Sequence, residues 1–142
     1  MRMTLSAKGR IAPPPVLAAP FQTLSEEVQS WPGIVAATHW HLSRNGQVDG
    51  ADFYRGADEL GHIHLYGEVH LVTTPSLTRA LVDARLVRPF PFAGAKDWSV
   101  YRIQSDDGLR HAEWLMRLAY DYLGGTSEVE LLDRVSAALQ AA

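Results

Sequence analysis

The sequence predicts an α+β domain: one mainly antiparallel sheet of about five strands, with helices packed on one face. Three observations carry this. Apolar residues alternate with a period of two between Ile34 and Thr73 and again from Trp98 to Ile103, the spacing of half-buried strands. Around and between those runs, apolar residues recur at helical spacing in four stretches. The first four strand-like runs are joined by short turn signals with no helical crossover between them, so neighbours pair antiparallel rather than through βαβ units.

Met1 to Pro20, rich in Ala and Pro and without a period, reads as a flexible arm, disordered or laid across a neighbouring surface. The remainder, 21–142, reads as a single domain. Thr23 and Glu26 have capping-box spacing and open a short helix with Leu24, Val28 and Trp31 on its apolar stripe; Pro32-Gly33 ends it. Ile34 to Leu42 and Val48 to Arg55 follow as strands joined at Arg44-Asn45-Gly46, because Asn-Gly tolerates positive φ. Glu59 to Leu65 and Val69 to Thr73 form a second hairpin around Tyr66-Gly67. Thr74-Pro75 starts a helix to about Leu86, with Pro at its first position. Phe90 to Gly94 is an irregular aromatic loop, and Trp98 to Ile103 the last strand. Ser105 caps the longest helix, which carries Asp106 and Asp107 in its first turn and stops at Gly124-Gly125. A final amphipathic helix runs from roughly Ser127 to Leu139.

Composition narrows the function classes. The chain has 142 residues, enough for one ordinary core. A net charge of -3 and the lack of any Lys/Arg run argue against a nucleic-acid binder, which needs a clustered basic surface. Without cysteine there is no disulfide, no thiolate ligand and no Cys nucleophile, so a metal would be held by His, Asp or Glu. No apolar run reaches the roughly 18–20 residues of a membrane span. The segment Pro13-Pro14-Pro15 interrupts any secretory h-region, and a cytoplasmic location is expected.

The histidines carry the chemistry. Five of the six lie between Thr38 and Leu71, four of them as His39-Trp40-His41 and His62-Ile63-His64, with His70 beyond. Residues two apart on a strand share a face, so each pair can present two imidazoles side by side. Hairpin parity decides where the second pair points. An odd loop, Tyr66-Gly67-Glu68, pairs His64 with His70 and segregates Ile63, Leu65, Val69 and Leu71 from His62, His64 and His70. Register follows the hydrophobic pattern wherever one face is buried, so the odd loop is preferred. His39 and His41 could join the same face. A divalent metal would then find His62, His64 and His70 as ligands, with Glu59, Glu68 or Asp52 as a carboxylate. A small-molecule site would use His62, His64, His70, His39 and Glu59, with Trp98 and Phe92 walling an apolar pocket. No H-E-x-x-H, nucleophile elbow, Walker loop or dinucleotide fingerprint is present. His111, beside Trp114 on the long helix, reads as an ordinary partly buried residue.

The run Glu59-Leu60-Gly61-His62-Ile63-His64 resembles the E-[IL]-G-H-[ILV]-H signature of a family of small proteins labelled "luciferase domain". Trp98-Ser99-Val100-Tyr101-Arg102-Ile103 is similar to its G-W-V-S-F-x-I strand, with Asp97 where the family has Gly. Leu115-Met116-Arg117-Leu118-Ala119-Tyr120 is similar to its closing L-L-R-L-S-Y helix. The similarity spans about Trp31 to Tyr122. This chain departs from the family at 70–75 and lacks a His pair that members carry near Phe90-Pro91-Phe92. The label implies light-emitting oxygenation, but no residue here supports a luciferin, flavin or oxygen site.

Two functions follow. One is a ligand- or metal-binding domain using the His-rich sheet face; if that face is catalytic, the reaction is a metal-assisted oxidation or hydrolysis with the histidines as ligands and Glu59 either supporting them from behind or acting as general base. The other is a non-catalytic interaction module, with the sheet face or the arm meeting another protein or a second copy of the chain. Imidazoles converging on one point favour the first, and rings splayed along an open sheet favour the second.

Overall fold

A computed structural model describes residues 2–92 and 94–141; Met1 of the expected arm, Ala93 of the aromatic loop and Ala142 at the end of the expected domain lie outside it. The architecture is α+β, with a single antiparallel sheet and four α-helices among the described residues. Strands β1 (Ile34–Trp40), β2 (Val48–Arg55), β3 (Asp58–His64) and β4 (Glu68–Val72) follow one another as neighbours, and β6 (Trp98–Arg102) pairs with β4. The sheet has six strands rather than about five. The added one, β5 (Arg88–Pro89), is two residues long, contains a proline and lies at the edge beyond β6, so it carries no period to read.

One face of the sheet packs under α1 (Ala19–Gln29), α2 (Pro75–Asp83) and α3 (Asp106–Leu123), and α4 (Glu128–Ala141) packs on α2 and α3. Phe53, Ile63, Val69 and Leu71 point into this layer and join Leu24, Val28, Leu77, Leu115, Met116 and Leu131 in one core. At about 25 cal/mol per Å² of apolar surface buried, this layer holds the sheet against its helices and leaves the alternate side chains to the other face. No helix among the described residues is long and apolar enough to cross a membrane.

Two helix starts are as read: Thr74 accepts a hydrogen bond from the Leu77 N–H, and Ser105 from the Gly108 N–H. The first helix differs. It begins at Ala19, with Pro20 in its first turn, and Thr23 lies inside it, donating its hydroxyl to the Ala19 carbonyl. Proline, pre-set for helical φ and needing no N–H partner, outcompetes the Thr23 capping box as the nucleus. The Gln22 side chain instead accepts the Leu17 N–H.

Residues 3–10 cross the sheet face opposite the helices, and residues 12–17 pass along the β1 edge toward the helix side. Thr4 bridges Asp58, a single 3-10 turn covers Leu5–Lys8, and the Ala12 and Pro13 carbonyls accept the Thr38 N–H and hydroxyl. Leu17, 5% exposed, enters the core. The arm thus covers part of the face on which the histidines stand, its Lys8, Gly9 and Arg10 lying beside them.

Candidate functional site

The two hairpins decide which imidazoles meet. In the second, His62 pairs with His70 and Ile63 with Val69. The register lies two residues from the odd-loop expectation, which paired His64 with His70. Parity is kept, so His62, His64 and His70 do share one face. The shift has a local cause: the Gly67 N–H bonds the His64 carbonyl, and the Leu65 N–H bonds the Asp49 carbonyl of β2, so the turn begins one residue earlier, at Leu65.

In the first hairpin the register slips between His39 and Trp40. His39 stays on the cluster face. His41 falls in the loop, where its Nδ1 accepts the Ser43 and Arg44 N–H groups, and it only borders the cleft mouth. Gly50 lies across from both His39 and His64. A Cβ on it would collide with the Ile63 carbonyl, and its bare Cα lets rings from β1 and β3 approach over β2. A second irregularity pairs Phe53 with Gly61 but Tyr54 with Glu59, leaving Leu60 as an extra residue on β3. This bulge turns Leu60 into the core and Glu59 onto the histidine face, three residues from His62.

The resulting cluster is tight. The His39 and His62 rings stack at 3.9 Å, and His64 meets them edge-on at 5.0 and 4.9 Å. His70 stands 4.6 Å from both His62 and His64. One ring nitrogen each of His39, His62 and His64 lie within 4.8 Å of one another. Each of these three rings has Nδ1 on a carboxylate: His39 on Asp52 at 2.7 Å, His62 on Glu59 at 2.7 Å and His64 on Asp49 at 2.9 Å. A carboxylate only accepts, so Nδ1 carries a proton, and in a neutral ring Nε2 is the nitrogen that keeps its lone pair. The Nε2 of His64 is buried and has no hydrogen-bond partner among the described residues.

Burial is the main force on the ring charges. It holds His62 well below the ordinary histidine value, aided by His39, His70 and the Lys8 ammonium and opposed by Asp52. Burial also lowers His64, with His70 and His39 adding to it against Asp49. His70 is lowered by burial, which its hydrogen bond to Glu68 only partly offsets. For Glu68 burial works upward, but the His70 bond and Arg88 outweigh it and hold the carboxyl low. The Tyr54 hydroxyl, pushed up by burial and then by Asp52 and Glu59, donates to Asp52 at 3.0 Å.

Above the cluster opens a cleft of about 1200 Å³. Trp98 lies 6.2 Å from His62, Tyr66 stacks on His64 at 5.2 Å and Phe90 meets His70 edge-on at 5.2 Å. Phe92 packs on Phe90, and Trp40, under the Arg10 guanidinium, forms the far wall. The sequence reading thus finds His39, His62, His64, His70, Glu59 and Trp98 in one place. It missed Asp49 and Lys8. Asp49 sits beside Gly50, whose place inside a strand signals close approach, but nothing in the arm's composition marks Lys8. His111 is elsewhere, between Tyr101 and Trp114, with Nε2 on the Leu86 carbonyl.

Residues 57–119 match the family model described as Luciferase domain. The resemblance read from the sequence is therefore shown over a shorter stretch than Trp31 to Tyr122. The matched stretch holds His62, His64, His70, Glu59 and Trp98, while His39, Asp49, Asp52 and Lys8 lie before it. Comparisons with curated proteins and with solved structures give no match.

Proposed function

We propose that the Luciferase-domain segment, completed by β1, β2 and the arm, is a binding domain that holds one divalent cation on its histidine face and presents it to a small molecule in the aromatic cleft. One observation carries the reading. His62 Nδ1 is committed to Glu59 and His70 Nε2 to Glu68, which leaves His62 Nε2 and His70 Nδ1 facing each other at 3.1 Å with a lone pair on each. Two bare nitrogens at that distance repel unless something positive lies between or beside them. A proton is disfavoured because burial lowers both rings. A cation is favoured: at metal–nitrogen distances of about 2.0–2.1 Å, two ligands of one ion stand roughly 3.0–3.4 Å apart.

Charge supports the same reading. The rings touch four carboxylates, Asp49, Asp52, Glu59 and Glu68, of which Lys8, on Asp52 and Glu59, and Arg88, on Glu68, balance two charges. With neutral imidazoles the cluster carries two net negative charges in a buried setting, and a divalent ion neutralises them. The orphan His64 nitrogen gains a partner in the same step. Imidazole and carboxylate donors suit zinc, iron or copper. The cleft exceeds the roughly 300–1,000 Å³ of a usual small-molecule pocket, and its aromatic walls fit an apolar or aromatic body whose oxygen the cation would polarise. Convergence of the rings, rather than their splaying along an open sheet, favours this over an interaction surface.

Metal analysis of the purified, tag-free chain tests it. One divalent ion per chain is expected, lost in His62→Ala and in His64→Ala with unchanged circular dichroism. A wild-type protein that is metal-free and ignores added zinc, iron and copper would sink the reading.

A further inference from the structure

We infer that Lys8 is a tethered cation that fills the acidic half of this centre and keeps a second divalent ion out. The inference rests on the proposal that the histidine half binds the first. Lys8 ends the 3-10 turn, and Gly9, at φ +86°, redirects the chain immediately after it. The backbone is pinned on both sides. The Met3 carbonyl accepts the Glu59 N–H at 2.7 Å, and the Leu5 N–H reaches the Ala57 carbonyl. Beyond Lys8, the Arg10 carbonyl accepts the Trp40 indole N–H at 2.8 Å. The arm therefore spans from β3 to β1 and sets its one lysine down over β2.

There the ammonium stands 2.6 Å from Glu59 Oε1 and 3.4 and 3.5 Å from the two Asp52 oxygens. Both carboxylates are 1% exposed. Their remaining contacts are to His62, His39 and Tyr54. Asp52, Glu59 and His62 offer one ligand atom each within 4.8 Å of one another, a mixed oxygen and nitrogen donor set that takes a divalent ion once the His62 Nδ1 proton is lost to solvent, the ring then bridging the two ions. The protein has put a side-chain cation on that set instead. An ammonium has three donors and no acceptor, so it satisfies the buried oxygens but cannot polarise a ligand. Its single charge leaves the cluster matched to one further dication, and the half left for that ion is the one that opens to the cleft.

Removing the Lys8 charge should then add a cation. The test counts Zn²⁺ per chain, after metal stripping, reloading and gel filtration, in wild type, Lys8→Gln and Lys8→Gln with Asp52→Asn. Lys8→Gln is expected to hold one Zn²⁺ more than wild type, and the double variant to return to the wild-type number. Equal counts in wild type and Lys8→Gln overturn the inference; with one ion in each, the histidine site survives. Zero in wild type and one in Lys8→Gln does the reverse, retaining the inference and sinking the histidine site. Should Lys8→Gln fold poorly when stripped, its melting temperature with Zn²⁺ serves instead. A rise larger than that of wild type supports the inference, and an equal rise overturns it.

Discussion

Each imidazole of the cluster is oriented by a carboxylate behind it, and that pairing fixes which nitrogen is free. Asp49 illustrates how such a residue acts at one remove. It bonds His64 Nδ1 at 2.9 Å, is only one-fifth exposed, and would not touch an ion held at Nε2. Asp49→Asn keeps the shape but removes the charge that sets the tautomer. Cation affinity should fall about 10–100-fold while the stoichiometry stays at one, as measured by titration calorimetry. An unchanged affinity would mean that His64 is not a ligand. The histidines themselves were legible because His-x-His at strand spacing is a face signal that needs no partner strand. Asp49 was not, since an Asp near a strand start is ordinarily a turn residue, and only the pairing of Gly50 with His64 brings it alongside the ring.

Elements position these side chains through irregularities more than through regular pairing. The bulge at Leu60 converts a one-in-two alternation into a spacing that puts Glu59 and His62 on the same face. His41 leaves that face because β1 ends at Trp40 and its ring caps the loop. Strand period predicted the first outcome only in part and the second wrongly, because bulges and strand ends follow from how a strand meets its neighbour. Helix ends were more readable. Their capping chemistry is local, and Ser105 and Thr74 hold their helices as their positions suggest. Ser105→Ala should cost about 1 kcal/mol in urea denaturation, since the Gly108 N–H loses its acceptor. A loss near zero would show that water replaces the cap. The first helix is the instructive exception: two local signals competed, and proline won over Thr23.

At the scale of the whole molecule, the fold commits several titratable groups to one charge state, which couples its stability to pH. His62, His64 and His70 are all lowered, mainly by burial. Between their folded values and the ordinary histidine value near 6.5, the unfolded chain binds protons that the folded chain refuses. Stability is therefore complete above about pH 6.5 and falls as the pH drops below it, each ring that stays neutral adding up to about 1.4 kcal/mol per pH unit. The urea midpoint of stripped protein should be clearly lower at pH 5.5 than at pH 7.5, in buffers of equal ionic strength. A flat profile would mean that the rings accept protons within the fold. Glu68, held low, extends the loss at more acidic pH.

By itself the sequence determined the α+β class, the antiparallel order of the first four strands, the caps at Thr74 and Ser105, and the face shared by His62, His64 and His70. All of these rest on periodicity or on contacts a few residues apart. Tertiary structure alone decided that His39 joins that face without His41, that Asp49 and Asp52 back the rings, and that the arm delivers Lys8 to two buried carboxylates 44 or more residues away. Those outcomes depend on strand register, bulges and the path of a segment without period. They arise from the packing of distant chain segments, which no local pattern encodes.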